Sequence, residues 1–409
     1  MSYYPALLRQ DFPLLRRVVN GHPITYLDSG ATSLTPRTVV EAMDIYYSRR
    51  HANVHRGVYQ TAAEATAAYE GARADVAAFI GASHPDEVVF TKNATESFNL
   101  LAKAWGTKNL HPGDVVVLSE MDHHANLVPW FQLRDARGID LRFLRVGDDY
   151  RLDLSTLDEI LDGAKLVSVT AMSNVLGTIN PITYLAERAH AAGALLAVDG
   201  AQSVAHLPTN VQTLGADFLA FSAHKMLGPT GIGVLWAKAE HWERTPPFLG
   251  GGGMISDVTL DGFTPASGPA EYEAGTPPIA EAVGLSAAVR YLTSITMEAV
   301  AQHERDLTTY ALDQLATSFD GRVRVIGPTD TLDRGGVISL DVEGVHPHDV
   351  SQVLDQYGVC VRPGHHCAKP LMRRFGLAAT ARASFGPYSL ASEVDTLVDA
   401  LGHAVEMFS

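Results

Sequence analysis

The feature that most restricts this fold is a series of short, mostly apolar runs separated by helix-length stretches. Asp114-Val-Val-Val-Leu118, Leu166-Val-Ser-Val-Thr170, Leu195-Leu-Ala-Val198 and Phe218-Leu-Ala-Phe221 show no in–out alternation. They therefore read as strands buried on both faces, the pattern of a parallel sheet. Pro181 to Ala192, stopped by Gly193, reads as one of the intervening helices. Repeated units of this length predict right-handed crossovers and an α/β architecture with one large, mostly parallel sheet.

Upstream, Ile24-Thr-Tyr-Leu27 is strand-like and leads into the small-residue turn Asp28–Ser33. Pro36 opens a helix to about Arg50, and Thr61 to Ile80 forms an Ala-rich helix stopped by Gly81. After the strand Glu87–Phe90, Asn93 followed by Glu96 resembles a capping box. Thr95 beside it is either helix-start chemistry or a phosphate ligand at free N–H groups. Gly250–Gly253 and Gly262–Pro278 read as long irregular segments. From about Tyr291 the pattern changes to a long helix, the strand Val337–Leu340, a helix from Pro347 to Tyr357, the strands Val359–Arg362 and Arg382–Phe385, and a terminal helix. At 409 residues the chain exceeds one ordinary core. The expected division is a large domain, 22–292, and a smaller α/β domain, 293–409, completed by an N-terminal arm, 1–21, with Asp11-Phe-Pro-Leu-Leu15 packing on its neighbours.

The run Phe218–Phe221 ends in Ser222, His224 and Lys225 before Gly228-Pro229 force a turn. Leu195–Val198 ends in Asp199, with Gln202 three residues on. Ligands of α/β sheets sit at the carboxyl ends of strands. A lysine reaching solvent past the turn is the simpler reading of Lys225 alone. Two strand ends that deliver a lysine and a carboxylate to one crevice suit pyridoxal 5′-phosphate instead, with the lysine as Schiff-base partner and the carboxylate facing the pyridine nitrogen.

A formal charge of −15 gives no general attraction to nucleic acid or an anionic membrane. No apolar run approaches the roughly 20 residues that cross a bilayer, and the first ten residues lack a secretory pattern. Cys360 and Cys367 are the only cysteines, which favours a reducing compartment, the cytoplasm. His365-His366-Cys367 and His346-Pro-His348 lack the spacing of a zinc site. Gly228-Pro-Thr-Gly-Ile-Gly233 leads into a strand and is no dinucleotide fingerprint.

Seven segments taken in order carry a resemblance: Asn53–Gly57, His123–Asn126, Ser173–Gly177, Val198–Gln202, Ser222–Lys225, Glu273–Pro277 and Arg362–Ala368. Together they resemble a fold-type I enzyme of the class V aminotransferase superfamily, and within it the Suf-type (type II) cysteine desulfurases. The resemblance implies pyridoxal phosphate on Lys225, Asp199 at the pyridine nitrogen, Gln202 by the ring hydroxyl and His123 stacked on the ring. It implies Thr95, Ser222 and His224 at the phosphate, with Thr276 reaching over from the partner of an obligate homodimer. Asn174, Arg362 and Arg382, with His55 and Arg56, would serve substrate binding, and Cys367 would accept sulfur.

Each of these carries a simpler alternative. His123-His124 is otherwise a surface pair. Arg382, beside small residues on a strand, pairs with a substrate carboxylate or with a carboxylate of the chain. Cys367 lies near histidines and Arg362, whose charge would favour its thiolate, whereas Cys360 in an apolar strand reads as inert. Ala94 stands where some relatives carry a second hydroxyl, and Pro363 and Pro370 bracket a short cysteine loop, which fits the type II class. The implied activity is conversion of L-cysteine to L-alanine, with a persulfide on Cys367 for iron–sulfur cluster assembly. Selenocysteine lyase, another class V activity and a pyridoxal-binding regulator are the alternatives. His346-Pro-His-Asp349 opens a helix where His348 resembles the residue of desulfurases served by a zinc-containing SufU-type acceptor rather than a SufE-type one.

Overall fold

The computed structural model describes residues 3–408; Met1 and Ser2 of the expected arm, and Ser409, lie outside the described residues. The apolar runs form the inner strands of a seven-stranded sheet. Its order is Val88–Thr91, Gly233–Ala237, Phe218–Ser222, Leu195–Asp199, Ala164–Thr170, Val115–Ser119 and Asp140–Leu144. The chain is α/β with a mostly parallel sheet, as the periodicity predicts. Only Gly233–Ala237 runs antiparallel to both neighbours. That strand follows the turn after Lys225, too short a connection for a crossover, so it must return antiparallel.

A glycine opens this strand for a steric reason. A Cβ at Gly233 would lie 2.5 Å from Asn93 Cα. The strand end thus packs directly on the start of the helix Ala94–Leu100, and Ala94 N–H donates to Ser222 Oγ at 2.8 Å. Asn93 caps that helix by accepting from Glu96 N–H at 3.0 Å. The capping box is not reciprocal, because the Glu96 carboxylate accepts from Lys92 N–H, one residue earlier.

A second, antiparallel sheet runs Val323–Ile326, Val337–Val342, Thr380–Ser384 and Arg362–Gly364. Helices Met297–Ser318, Pro347–Gln356 and Ala391–Met407 contribute apolar faces to its core, which is separate from that of the large sheet. The long helix expected from about Tyr291 is two helices, Ile279–Ile295 and Met297–Ser318. They break at Thr296, whose φ is +63° and whose hydroxyl caps the second helix. The single strand expected over Val359–Arg362 divides: Val359–Cys360 pairs in parallel with Thr25–Tyr26, while Arg362–Gly364 joins the small sheet. Phe12 of the arm is fully buried against Tyr291 and Tyr388, and its side chain joins the core of the large sheet. The irregular region also holds an ordered hairpin, Ile255–Thr259 with Gly262–Pro265, that leaves Val258, Leu260 and Phe263 exposed.

Candidate active site

The ends of five strands of the large sheet and the small sheet enclose one cavity. Thr95, His123, Asn174, Asp199, Gln202, Ser222, His224, Lys225, Arg362 and Arg382 all line it. The cavity lies at the carboxyl edge of the parallel strands, as strand polarity requires. Cys367 is not among its walls; it follows His366, which is. Thr276, His55 and Arg56 are not in this cavity. They line a second one, under which Arg73 and Glu273 form a buried bidentate pair at 2.7 and 2.9 Å. Glu273 also accepts from Phe90 N–H and Tyr69 Oη, both at 2.7 Å, so this glutamate fixes the Glu273–Pro277 loop.

Burial pushes the Lys225 ammonium down to about 8; Asp199 opposes the shift, and Arg382 and Arg362 reinforce it. Burial pushes the Asp199 carboxyl up, while Ala201 N–H and Lys225 favour its charged form. Burial also holds His123 down at about 3, with Lys225 the next cause, so this imidazole is neutral. Its Nδ1 accepts from Ala125 N–H at 3.0 Å, which leaves the proton on Nε2. His224 is pushed down to about 4 by burial and then by Lys225; its Nδ1 lies 3.2 Å from Thr32 Oγ1.

Arg382 is almost fully buried and already has company. Nη1 donates to Asn174 O at 2.9 Å and Nη2 to Asp28 at 3.2 Å, whereas Nε has no partner among the described residues. The internal ion pair offered as an alternative is therefore real, and it leaves the Nε donor over. Gln202 Nε2 donates to Gly30 O at 2.8 Å, and its buried Oε1 likewise has no partner among the described residues. An unmatched amide oxygen beside Asp199 suits a ring hydroxyl, and an unmatched guanidinium N–H suits a carboxylate. Ser222, His224 and Thr95 at the start of a helix suit a phosphate.

Two features of the site escape the sequence reading. Asp122 is fully buried and joins neighbouring strand ends by accepting from Ser119 N–H and Thr170 N–H, both at 2.7 Å. Burial pushes it up to about 7, and it fixes the strand end that carries His123. The cysteine loop is also anchored: Asn174 Nδ2 donates to His366 O at 2.8 Å. His366 and Cys367 have φ of +50° and +56°. Two consecutive residues in the left-handed region cost about 1–2 kcal/mol each, so the loop holds this shape only through such anchors. Cys360 is half-buried and burial pushes its thiol up, in keeping with an inert cysteine.

A strand-end lysine, a buried aspartate and a neutral histidine share one cavity at the carboxyl edge of this sheet. The chain belongs to the class V aminotransferase family: the profile described as Aminotransferase class-V matches residues 25–397. Within that family it belongs to the cysteine desulfurases. It is 50% identical over 419 residues to a probable cysteine desulfurase of Streptomyces coelicolor, covering 100% of both chains. It is 49% identical to a cysteine desulfurase of Haloferax volcanii, covering 98% of this chain and 97% of the other. The crystal structure of an Escherichia coli cysteine desulfurase superimposes with a TM-score of 0.92 at 39% identity, covering 100% of both chains. The unmatched donors and acceptors above fit pyridoxal 5′-phosphate.

Proposed function

We propose that this enzyme transfers the sulfur of L-cysteine to the Cys367 thiol and releases L-alanine, as a Suf-type (type II) desulfurase supplying iron–sulfur cluster assembly. The observation that carries the reading is the depressed Lys225 amine facing Asp199, with the guanidinium of Arg382 and the Cys367 loop on the other side of the same cavity.

Arg382, through its free Nε, and Arg362 at the rim hold the substrate carboxylate, and Asn174 keeps Arg382 in place through its carbonyl. Pyridoxal phosphate, when bound through Lys225, supplies the electron sink that lets the substrate Cα–H bond break. Lys225, released as a neutral amine, takes the Cα proton. Neutral His123 presents Nε2–H as a proton donor over the substrate. The Cys367 thiolate attacks the substrate sulfur, so that an S–S bond forms and the Cβ–S bond breaks. The bonding pair stays on carbon, which takes a proton to become the methyl group of alanine.

Thr276, His55 and Arg56 are assigned to the site of a second copy, which makes the enzyme a homodimer; their second cavity and the exposed hairpin support this. The chain divides into domains 22–292 and 293–409, with the arm packed on the core of the large sheet through Phe12 rather than on the small domain's core, and works in the cytoplasm. No helix among the described residues is long and apolar enough to cross a membrane. Exposed His348, in the first turn of the helix Pro347–Gln356 with the His346 ring stacked 5.1 Å away, serves a SufU-type acceptor. Its imidazole replaces a cysteine ligand that leaves the acceptor's zinc to take sulfur.

The deciding experiment measures alanine and sulfide from L-cysteine, with and without reductant, in wild type and Cys367→Ser. The variant should bind cofactor and substrate but carry no persulfide. A persulfide found on Cys360 instead would overturn the choice of nucleophile.

A further inference from the structure

His124 is the neighbour of the stacked histidine, yet it turns away from the cofactor cavity, whose walls include His123 and Ala125 but not His124. It touches the cysteine loop twice. Its main-chain N–H donates to Cys367 O at 2.7 Å, and its ring Nε2 accepts from Lys369 N–H at 3.1 Å. Its ring also lies 5.7 Å from that of His365, whose Nδ1 in turn accepts from Cys367 N–H at 3.0 Å. One residue outside the loop thus grips it at two points, the Cys367 carbonyl and the Lys369 N–H.

We propose that His124 is a positioning residue, a latch that holds the Cys367 thiol in its attacking position by accepting the Lys369 N–H at Nε2. This rests on the reading of Cys367 as the sulfur acceptor. A ring nitrogen that accepts an N–H must be unprotonated, which puts the proton of the neutral ring on Nδ1. A protonated ring would turn a donor toward a donor and open the latch at Lys369. The groups facing His124 are the His365 ring, the Lys369 ammonium, the neutral His123 ring and Cys367 itself. Burial first, and then the positive charge of His365 and Lys369, hold His124 below the ordinary histidine range. The latch is therefore closed at neutral pH and opens only in acid. Opening it would free a loop whose two left-handed residues favour rearrangement.

The test uses holoenzyme carrying His124→Leu or His124→Gln, since the glutamine oxygen can accept the same N–H without titrating. Two readouts are followed from pH 5 to 8: iodoacetamide labelling of Cys367 by peptide mass spectrometry, and single-turnover persulfide formation from L-cysteine. His124→Leu should label on the order of tenfold faster and form persulfide on the order of tenfold more slowly, with unchanged cofactor absorbance. His124→Gln should restore both within about twofold at pH 8 and lack the wild-type acid limb. Equal labelling in wild type and His124→Leu would overturn the latch. If His124→Leu loses cofactor, identical acid limbs in wild type and His124→Gln overturn it instead. The labelling arm needs no turnover. Persulfide surviving in Cys367→Ser would overturn the assignment of the nucleophile and leave the labelling result to judge the latch.

Discussion

Arg382 and Asp28 meet at 3.2 Å although 354 residues separate them in the chain, and their pairing joins the turn after Leu27 to the central strand pair of the small sheet. The guanidinium is almost fully buried and the carboxylate partly exposed. Burial pushes Arg382 down and Asp28 up, and each favours the charged form of the other.

Asp28→Asn should therefore destabilise the free enzyme by about 2 kcal/mol, less than for a fully buried pair because Asp28 reaches solvent. A carboxylate ligand can replace the lost charge. Denaturation with and without L-alanine should show a larger ligand-induced gain for the variant than for wild type. An equal gain in both would mean that Arg382 does not bind the substrate carboxylate.

The Lys225 amine makes a prediction about pH. Between about 8 and the ordinary lysine range near 10.4, the unfolded chain holds this proton and the folded, cofactor-free protein does not. Stability of the cofactor-free protein should rise with pH across that window, a gain lost as pH falls through 8. Lys225→Met should remove that part of the slope. Only the free amine attacks an aldehyde, so the rate of reconstitution with pyridoxal phosphate should also climb through pH 8 and then level. A rate still rising tenfold per unit near pH 10 would contradict the depressed amine.

Thr276 can be tested by complementation. If it completes the partner's site, mixed dimers of Lys225→Ala and Thr276→Val chains contain one intact site. Mixing two poorly active variants under exchange conditions should then restore up to about a quarter of wild-type alanine production, since half the dimers are hybrids and each has one intact site. No recovery, with exchange confirmed by mass, would place Thr276 in its own chain's chemistry or outside it altogether.

His348→Ala should leave cofactor absorbance and the first turnover on L-cysteine intact and abolish stimulation by a zinc-containing SufU-type acceptor. Undiminished stimulation, or stimulation of wild type by a SufE-type protein alone, would rule out ligand exchange at zinc.

The residues that sequence reasoning reaches are those whose chemistry is set locally. Lys225 and Asp199 each follow an unbroken buried run, and such runs announce both the strand and its ligand-bearing end. Asp122 is invisible by the same logic. Nothing beside it in sequence tells that Thr170, 48 residues away, will present an N–H to it. Asp28 as the partner of Arg382 is hidden for the same reason. The hairpin Ile255–Pro265 carries no strand signal in sequence, because Val258, Leu260 and Phe263 face outward and no core imposes a period on them. Thr276 is legible only by resemblance, and it does not line the cavity of its own chain.

The antiparallel strand Gly233–Ala237 has a consequence for the order of assembly. The bond from Ala94 N–H to Ser222 Oγ closes a loop of 128 residues, and the strand that presses Asn93 onto this junction is the last of the large sheet to be synthesised. Contacts this distant form late, after their closure entropy has been offset by the packing of the strands between. The proposed phosphate cradle therefore cannot exist on a nascent chain that ends before Ala237. Cofactor capture must follow the completion of the sheet, and uptake of pyridoxal phosphate during refolding reports the final docking of that strand rather than the initial collapse.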